Sequence, residues 1–154
     1  MLLFSLVKDD LEVITGRHPI TNWHNIREPT PMLNVDPVTG IFTAPNSGNY
    51  IISFRLKYHL PDKHLEYLQD PNSNIIFELE SLTFAQILDL FLIHKDTQIY
   101  HGFFRAHFQH NGNLAYNVKI HLNDGETLQN FCNAEVPMPT NTNFKLYWSV
   151  VSEL

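Results

Sequence analysis

The 154-residue chain has the composition of one globular domain, spanning residues 1–154, with 44% hydrophobic residues and eleven Phe. A chain of this length can bury a core without metal or disulfide staples. The net charge of −6 with scattered Lys and Arg gives no basic stripe, which argues against nucleic acid as the main partner. The longest apolar stretch, Leu82–Ile93, contains Gln86 and Asp89 and is too short to span a bilayer, so we expect no membrane insertion.

The N-terminal segment Met1–Val7 lacks the basic lead and the small-residue cleavage site of a signal peptide. We therefore expect either a cytosolic protein or a domain cut from a longer chain. Cys132 is the single cysteine, so no intrachain disulfide can form, and we expect it to be a small core residue.

Turns and strands alternate in the first third of the chain. Leu2–Val7 predicts a strand, and we expect Trp23, in a polar loop-rich segment, to lie in the core. Asp36–Gly40 suits a tight reversal, and Pro45–Gly48 suits a second one. Asn49–His59 then alternates with period two, which indicates a strand with one face buried and one in water. The side chains expected in the core are Tyr50, Ile52, Phe54, Leu56 and Tyr58.

These turns and strands carry the pattern Gly-x-Phe-x-x-Pro-x-x-Gly-x-Tyr-x-x-x-Phe. Its residues are Gly40, Phe42, Pro45, Gly48, Tyr50 and Phe54. The pattern resembles the hallmark of the complement component 1q and tumour necrosis factor-like globular domains. Phe4-Ser5-Leu6 resembles the first strand of that family, and Leu122–Gln129 resembles its hairpin, with Glu126 where Asp is usual. The resemblance implies an all-β jelly-roll sandwich of about ten strands and trimers packed through one edge and face of the sandwich.

The chain departs from the family pattern in two places. Leu146 stands where the family has Gly, and the segment 60–110 is longer than in a plain member. Within that segment, the short polar stretch Asp62–Gln69 predicts helix. A second set has the helical spacing i, i+3, i+4, i+7 and predicts another short helical insertion: Phe84, Ile87, Leu88 and Phe91. The remaining predicted strands are Ile41–Ala44, Asn74–Ser81, Gln98–Gln109, Leu114–Leu122, Thr127–Val136 and Phe144–Val151.

Nine His residues raise the question of a metal centre, since His101, His107 and His110 lie close in sequence. Jelly-roll enzymes of the cupin type use a His-x-His pair, which this chain lacks, and Arg105 would repel a cation between His101 and His107. We interpret these residues as surface-facing imidazoles, and a metal-dependent jelly-roll enzyme is the weakest of three hypotheses. The chain has no Gly-x-Ser-x-Gly elbow and no Gly-rich phosphate loop, so we expect no catalytic residues, no cofactor and no enzyme activity.

Carboxylates in the hairpin offer a second kind of site. Family members often bind calcium through loop Asp and Glu. The candidates here are Asp124 and Glu126 in the hairpin, or Asp62, Glu66 and Asp70 in the inserted loop. Calcium takes about six to eight oxygen ligands, and the chain has no dense acidic loop of that kind. Asp-Gly is a favoured hairpin turn by itself, so we interpret Asp124-Gly125 as a solvated turn.

Three aromatic residues, Phe103, Phe131 and Tyr147, fall on the nominal outward faces of their strands. Outward aromatics on a sandwich often mark a subunit interface, so we expect these residues at a trimer contact. The alternative is a register error of one residue, which would exchange the two faces.

Our leading hypothesis is a non-enzymatic recognition module that forms a homotrimer and binds protein or glycan partners through loops. The loops expected to bind are Leu60–Ser73, Asn111–Gly112 and Pro137–Asn143. The alternative is a structural protein of a virus or spore surface, such as a capsid protrusion or fibre head, with the same fold. The first hypothesis implies an extracellular or secreted location, and the second implies the virion surface.

Overall fold

The computed structural model describes residues 1–26, 30–60, 87–107, 111–135 and 142–153, and the regular elements of these residues are all β-strands. In chain order they are β1 (Leu2–Lys8), β2 (Gly16–Pro19), β3 (His24–Asn25), β4 (Val35–Asp36), β5 (Ile41–Thr43), β6 (Gly48–His59), β7 (Ile87–His94), β8 (Ile99–His107), β9 (Gly112–Leu122), β10 (Thr127–Ala134) and β11 (Asn143–Glu153). The described part of the chain contains no helix that is long and apolar enough to cross a membrane.

The strands form two antiparallel sheets that enclose one core. Among the described residues, the first sheet has five strands in the order β3-β1-β11-β6-β9. The second sheet has six strands in the same part of the chain, with β4-β5-β10-β7-β8 in a row and β2 paired to β10. Except for the consecutive pairs β4–β5 and β7–β8, neighbouring strands are distant in sequence, as in a jelly roll, because the connections cross between the sheets. The predicted all-β jelly-roll sandwich is confirmed.

Aromatic rings from both sheets fill the core. The alternation predicted for the long strand is confirmed, because Tyr50, Phe54 and Tyr58 are buried while Arg55 and Lys57 are exposed. Phe54 pairs with Trp148 across β6 and β11, and its ring stacks on Tyr116 from β9 at 5.4 Å between centroids. Trp23 is buried as expected, with its ring 5.6 Å from that of Trp148. Offset and edge-on aromatic pairs of this kind contribute beyond their buried area.

The predicted reversal at Asp36–Gly40 is confirmed. Asp36 accepts hydrogen bonds from the Gly40 backbone N–H at 2.8 Å through its carbonyl and from Val38 N–H at 3.0 Å through Oδ1. Gly40 has a φ of 74°, and a Cβ there would overlap the Ile20 carbonyl oxygen. Gly48 is different, because a Cβ there would meet no atom within 4 Å.

The helical prediction around Ile87, Leu88 and Phe91 is wrong, because these residues belong to strand β7. β7 lies between β10 and β8, with Leu88 and Leu90 in the core and Phe91 covered by other rings on the opposite face. A strand buried on both faces has no polar face to reveal its period of two. Phe84, the predicted helix Asp62–Gln69 and the predicted strand Asn74–Ser81 lie outside the described residues.

Candidate functional surfaces

The outward aromatic residues predicted from sequence lie on both outer faces of the sandwich. Phe103 in β8 and Phe131 in β10 lie on the second sheet, on either side of Phe91 in β7. Tyr147 in β11 lies on the first sheet. Phe103 is 55% exposed, so the outward facing predicted for this residue is right and the one-residue alternative is wrong at this position. The structure therefore brings Phe103 and Phe131 onto one surface and places Tyr147 on the other.

We call the outer face of the second sheet the aromatic surface, formed by Arg17, Phe91, Tyr100, Phe103 and Phe131. The Arg17 guanidinium carbon lies 4.9 Å from the Phe131 ring centroid and 5.4 Å from that of Phe91. Arg17 Nη1 also donates a hydrogen bond of 3.0 Å to the Tyr100 hydroxyl. Tyr100 stacks on Phe91 at 4.9 Å between centroids. Cation–π contacts and stacking hold Arg17, Phe91, Tyr100 and Phe131 in place, so this part of the surface is ordered before any partner arrives.

The outer face of the first sheet carries a shallow trough beside Tyr147. The trough has a volume of about 290 Å³ and is lined mainly by small or polar side chains, among them Ser5, Ser53, Ala115, Asn117 and Ser149. Three cations surround the Tyr147 ring at 5.7, 5.9 and 5.8 Å from its centroid, namely Arg55, Lys57 and Lys145. We call this face the Tyr147 trough.

The histidines singled out from sequence do not form one group. His107 is exposed, as a surface imidazole should be, and His110 lies outside the described residues. His101 departs from the prediction, because its Nε2 is buried and its ring lies 5.7 Å from that of His94. Burial and the neighbouring His94 lower the pKa of His101. The strand pairing of β7 and β8 shifts between Leu92 and Ile93, which changes the facing that simple alternation predicts.

Asp124 and Glu126, the calcium candidates in the hairpin, have different surroundings. Asp124 is exposed at the hairpin turn, where its backbone N–H donates to Ser47 Oγ at 3.0 Å and Gly125 has a φ of 86°. Glu126 instead lies 2.6 Å from His94 through Oε2. The Asn123 backbone N–H, which donates to Glu126 Oε1, is the main cause that lowers the pKa of Glu126.

His94 and Asp96 were not among the site residues predicted from sequence. The chain has no His-x-His pair, but it carries His94-Lys95-Asp96 at the end of β7. A histidine two residues before a carboxylate at the end of a strand is the signal that could have found them.

Cys132 is buried in the core, as expected. Burial raises the pKa of its thiol to about 11, so only a very small fraction is thiolate at neutral pH. Cys132 is therefore poorly suited to be a nucleophile.

Comparison with known proteins places the chain by structure and not by sequence. No protein-family model matches it, and no curated protein matches it by sequence. The globular domain of zebrafish complement 1qA superposes with a TM-score of 0.62 at 14% identity, over 98% of this chain and 96% of that one. Murine APRIL at pH 8.0 superposes with a TM-score of 0.54 at 8% identity, over 96% and 97% of the two chains. A second APRIL structure, at pH 5.0, gives a TM-score of 0.51 at 9% identity over 94% and 96%. The chain thus has the fold implied by the family resemblance of its sequence.

Proposed function

We propose that the protein is a non-enzymatic recognition module that forms a homotrimer and binds a protein or glycan partner outside the cell or on a virion surface. The observation that carries the proposal is the aromatic surface, with Tyr100 53% and Phe103 55% exposed on a well-packed sheet. Exposed aromatic rings beside an arginine on one face of a sheet are typical of binding surfaces. The buried, protonated thiol of Cys132 supports a role without covalent catalysis.

The Tyr147 trough is the face that we assign to the contact between subunits. A cyclic trimer has a head-to-tail interface, in which each subunit presents two different surfaces. Here we assign them to the trough face and, following the family resemblance, to an edge of the sandwich. The small side chains of Ser53, Ala115 and Ser149 would let the backbone of a neighbour approach closely. Tyr147 supplies a large ring at the rim of the same face, and rings of this kind contribute strongly to interface energy.

We assign the aromatic surface to binding of the partner. It lies on the opposite outer face from Tyr147, so three copies would point three such surfaces away from the trimer contact. Three identical weak sites on one particle gain affinity through avidity without any new contact. The predicted binding loop Asn111–Gly112 is only partly a loop, because Gly112 is the first residue of β9. Asn111 directly precedes β9, and its Oδ1 accepts a hydrogen bond of 2.8 Å from the Leu60 N–H. The greater part of the other two predicted loops lies outside the described residues.

Light scattering after size-exclusion chromatography tests the assignment of the two faces. The wild-type chain should elute with three times the 17.9 kDa mass of one chain. Tyr147→Asp and Ala115→Arg should both lower that mass toward one chain, because each puts a charge into the proposed contact. Phe103→Asp is the matched control on the aromatic surface and should leave the trimer intact.

A wild-type mass of one chain at micromolar concentration would overturn the trimer. Dissociation by Phe103→Asp, with Tyr147→Asp and Ala115→Arg still trimeric, would overturn the assignment of faces. Ala115 is exposed in strand β9, so its variant should fold even if Tyr147→Asp does not. Circular dichroism of each variant checks that the sandwich has formed.

A further inference from the structure

His94, Asp96 and Glu126 converge at one end of the sandwich. His94 is the last residue of β7, Asp96 lies in the turn that leads to β8, and Glu126 directly precedes β10. One potential ligand atom from each of the three residues lies within 4.8 Å of the others. His94 Nε2 is 2.6 Å from Glu126 Oε2 and 4.0 Å from Asp96 Oδ2. Two carboxylate oxygens therefore face the same imidazole nitrogen.

The central histidine of this group is well shielded from water. The His94 side chain is 7% exposed, whereas Glu126 is 18% and Asp96 is 49% exposed. The group thus has a buried side and an open side. A site of this shape can admit an ion from solvent and hold it against a protected nitrogen donor.

Backbone N–H groups hold both carboxylates in place. The Asn123 N–H donates to Glu126 Oε1 at 2.6 Å, which leaves Oε2 directed at His94. The Thr127 N–H donates to Asp96 Oδ2 at 2.8 Å. Outer contacts of this kind orient the ligands of metal sites, and here they exist within one chain.

His101 is a second, independent indication of a ligand. Its Nε2 is buried and has no hydrogen-bond partner within the part of the chain that the structure describes. Its ring centroid is 5.7 Å from that of His94. A buried polar nitrogen without a partner is costly, and a ligand bound beside the two rings would remove that cost if it reached this nitrogen.

We propose that His94, Asp96 and Glu126 form a binding site for a divalent transition metal of the zinc class. His101 does not belong to the group of ligand atoms within 4.8 Å of one another, so its ring would have to move to become a fourth donor. Imidazole and carboxylate together suit zinc, whereas calcium prefers oxygen ligands alone. Zinc–ligand bonds of about 2.1 Å place neighbouring ligand atoms about 3.4 Å apart. The separations of 2.6 and 4.0 Å lie on either side of this value, so small side-chain rotations seat the ion.

Such an ion would join the β7–β8 turn to the β9–β10 hairpin. Its binding energy would add to the stability of the folded chain, since the unfolded chain has no assembled site. All ligands come from one chain, so the site does not depend on the proposed trimer.

Calorimetric titration of untagged, chelator-treated protein with zinc chloride and calcium chloride tests the site. We expect one Zn²⁺ per chain, a higher melting temperature with zinc, and much weaker binding of calcium. Asp96→Asn and Glu126→Gln should each weaken zinc binding about tenfold or more. Asp124→Asn, an exposed carboxylate two residues from Glu126, is the matched control and should bind zinc like wild type. His101→Ala should weaken binding but not abolish it.

Three results would overturn the site: no zinc binding, equal weakening by Asp124→Asn and Asp96→Asn, or tighter binding of calcium than of zinc. Asp96 is half exposed in a turn, so Asp96→Asn should fold. Zinc binding by this variant therefore tests the site even if a substitution at buried His94 disrupts the protein.

Discussion

Gly40 lies in the left-handed region with a φ of 74°, beneath the Ile20 carbonyl and the Trp23 indole. A side chain at this position would strain the backbone and would overlap the Ile20 carbonyl oxygen. Gly48, from the same sequence motif, has neither problem, since nothing lies within 4 Å of an added Cβ. We predict that Gly40→Ala lowers the free energy of unfolding by about 2–4 kcal/mol. Gly48→Ala should change it by less than about 1 kcal/mol.

Urea denaturation of the two variants, followed by tryptophan fluorescence, measures this difference. Trp23 and Trp148 are both buried, so unfolding changes their emission. Equal losses of stability at Gly40 and Gly48 would contradict the packing of the first reversal.

Side chains whose role is set by local pattern were predictable, and those brought together by the fold were not. Period-two alternation was enough to place Tyr50 in the core and Phe103 at the surface. The group around His94 draws on the ends of two strands and a hairpin, with Glu126 more than thirty residues away in sequence. The spacing of residues in a single sequence does not show that these side chains lie close together in the folded chain.

Among the secondary-structure elements, the strands with one solvent-exposed face were predictable from the sequence. β6, β9 and β11 alternate because their outer faces meet water, and the structure places them as neighbours in the first sheet. β7 was misread as helix because it is covered on both faces, by the core and by the rings around Phe91. β3 and β4 have only two residues each, too few to show any period.

Leu146 in β11 tests how this chain fills its core where it departs from the family pattern. Leu146 is fully buried and pairs with Leu56 of β6 and Lys8 of β1. We predict that Leu146→Gly lowers the free energy of unfolding by about 4–6 kcal/mol, from a cavity and from added backbone freedom. Lys145→Gly, at the exposed neighbouring position, isolates the backbone part and should cost about 1 kcal/mol.

Equilibrium unfolding in urea compares Leu146→Gly with Lys145→Gly in the same strand. A loss at Leu146 no larger than that at Lys145 would show that the leucine side chain does not fill the core as the structure places it. A rise in stability on Leu146→Gly would contradict the register of β11.

At the scale of the whole molecule, this chain has the same fold as proteins with which it shares little sequence identity. The zebrafish complement 1qA domain shares 14% identity with this chain and matches it over nearly its full length. Residues of the sequence motif, such as Phe42 and Phe54, are buried and build the scaffold without forming a binding surface. Fold therefore does not fix function, and the two outer faces carry the features from which we infer it.

Small-angle X-ray scattering of the wild-type protein at micromolar concentration tests the central claim of a homotrimer most directly. Compact chains of 154 residues have a radius of gyration of about 15 Å, compact dimers about 19 Å and compact trimers about 23 Å. We predict a value near the trimer figure that does not change on dilution within the micromolar range. A radius of about 15 Å would contradict the trimer and, with it, the assignment of the Tyr147 trough to a subunit contact.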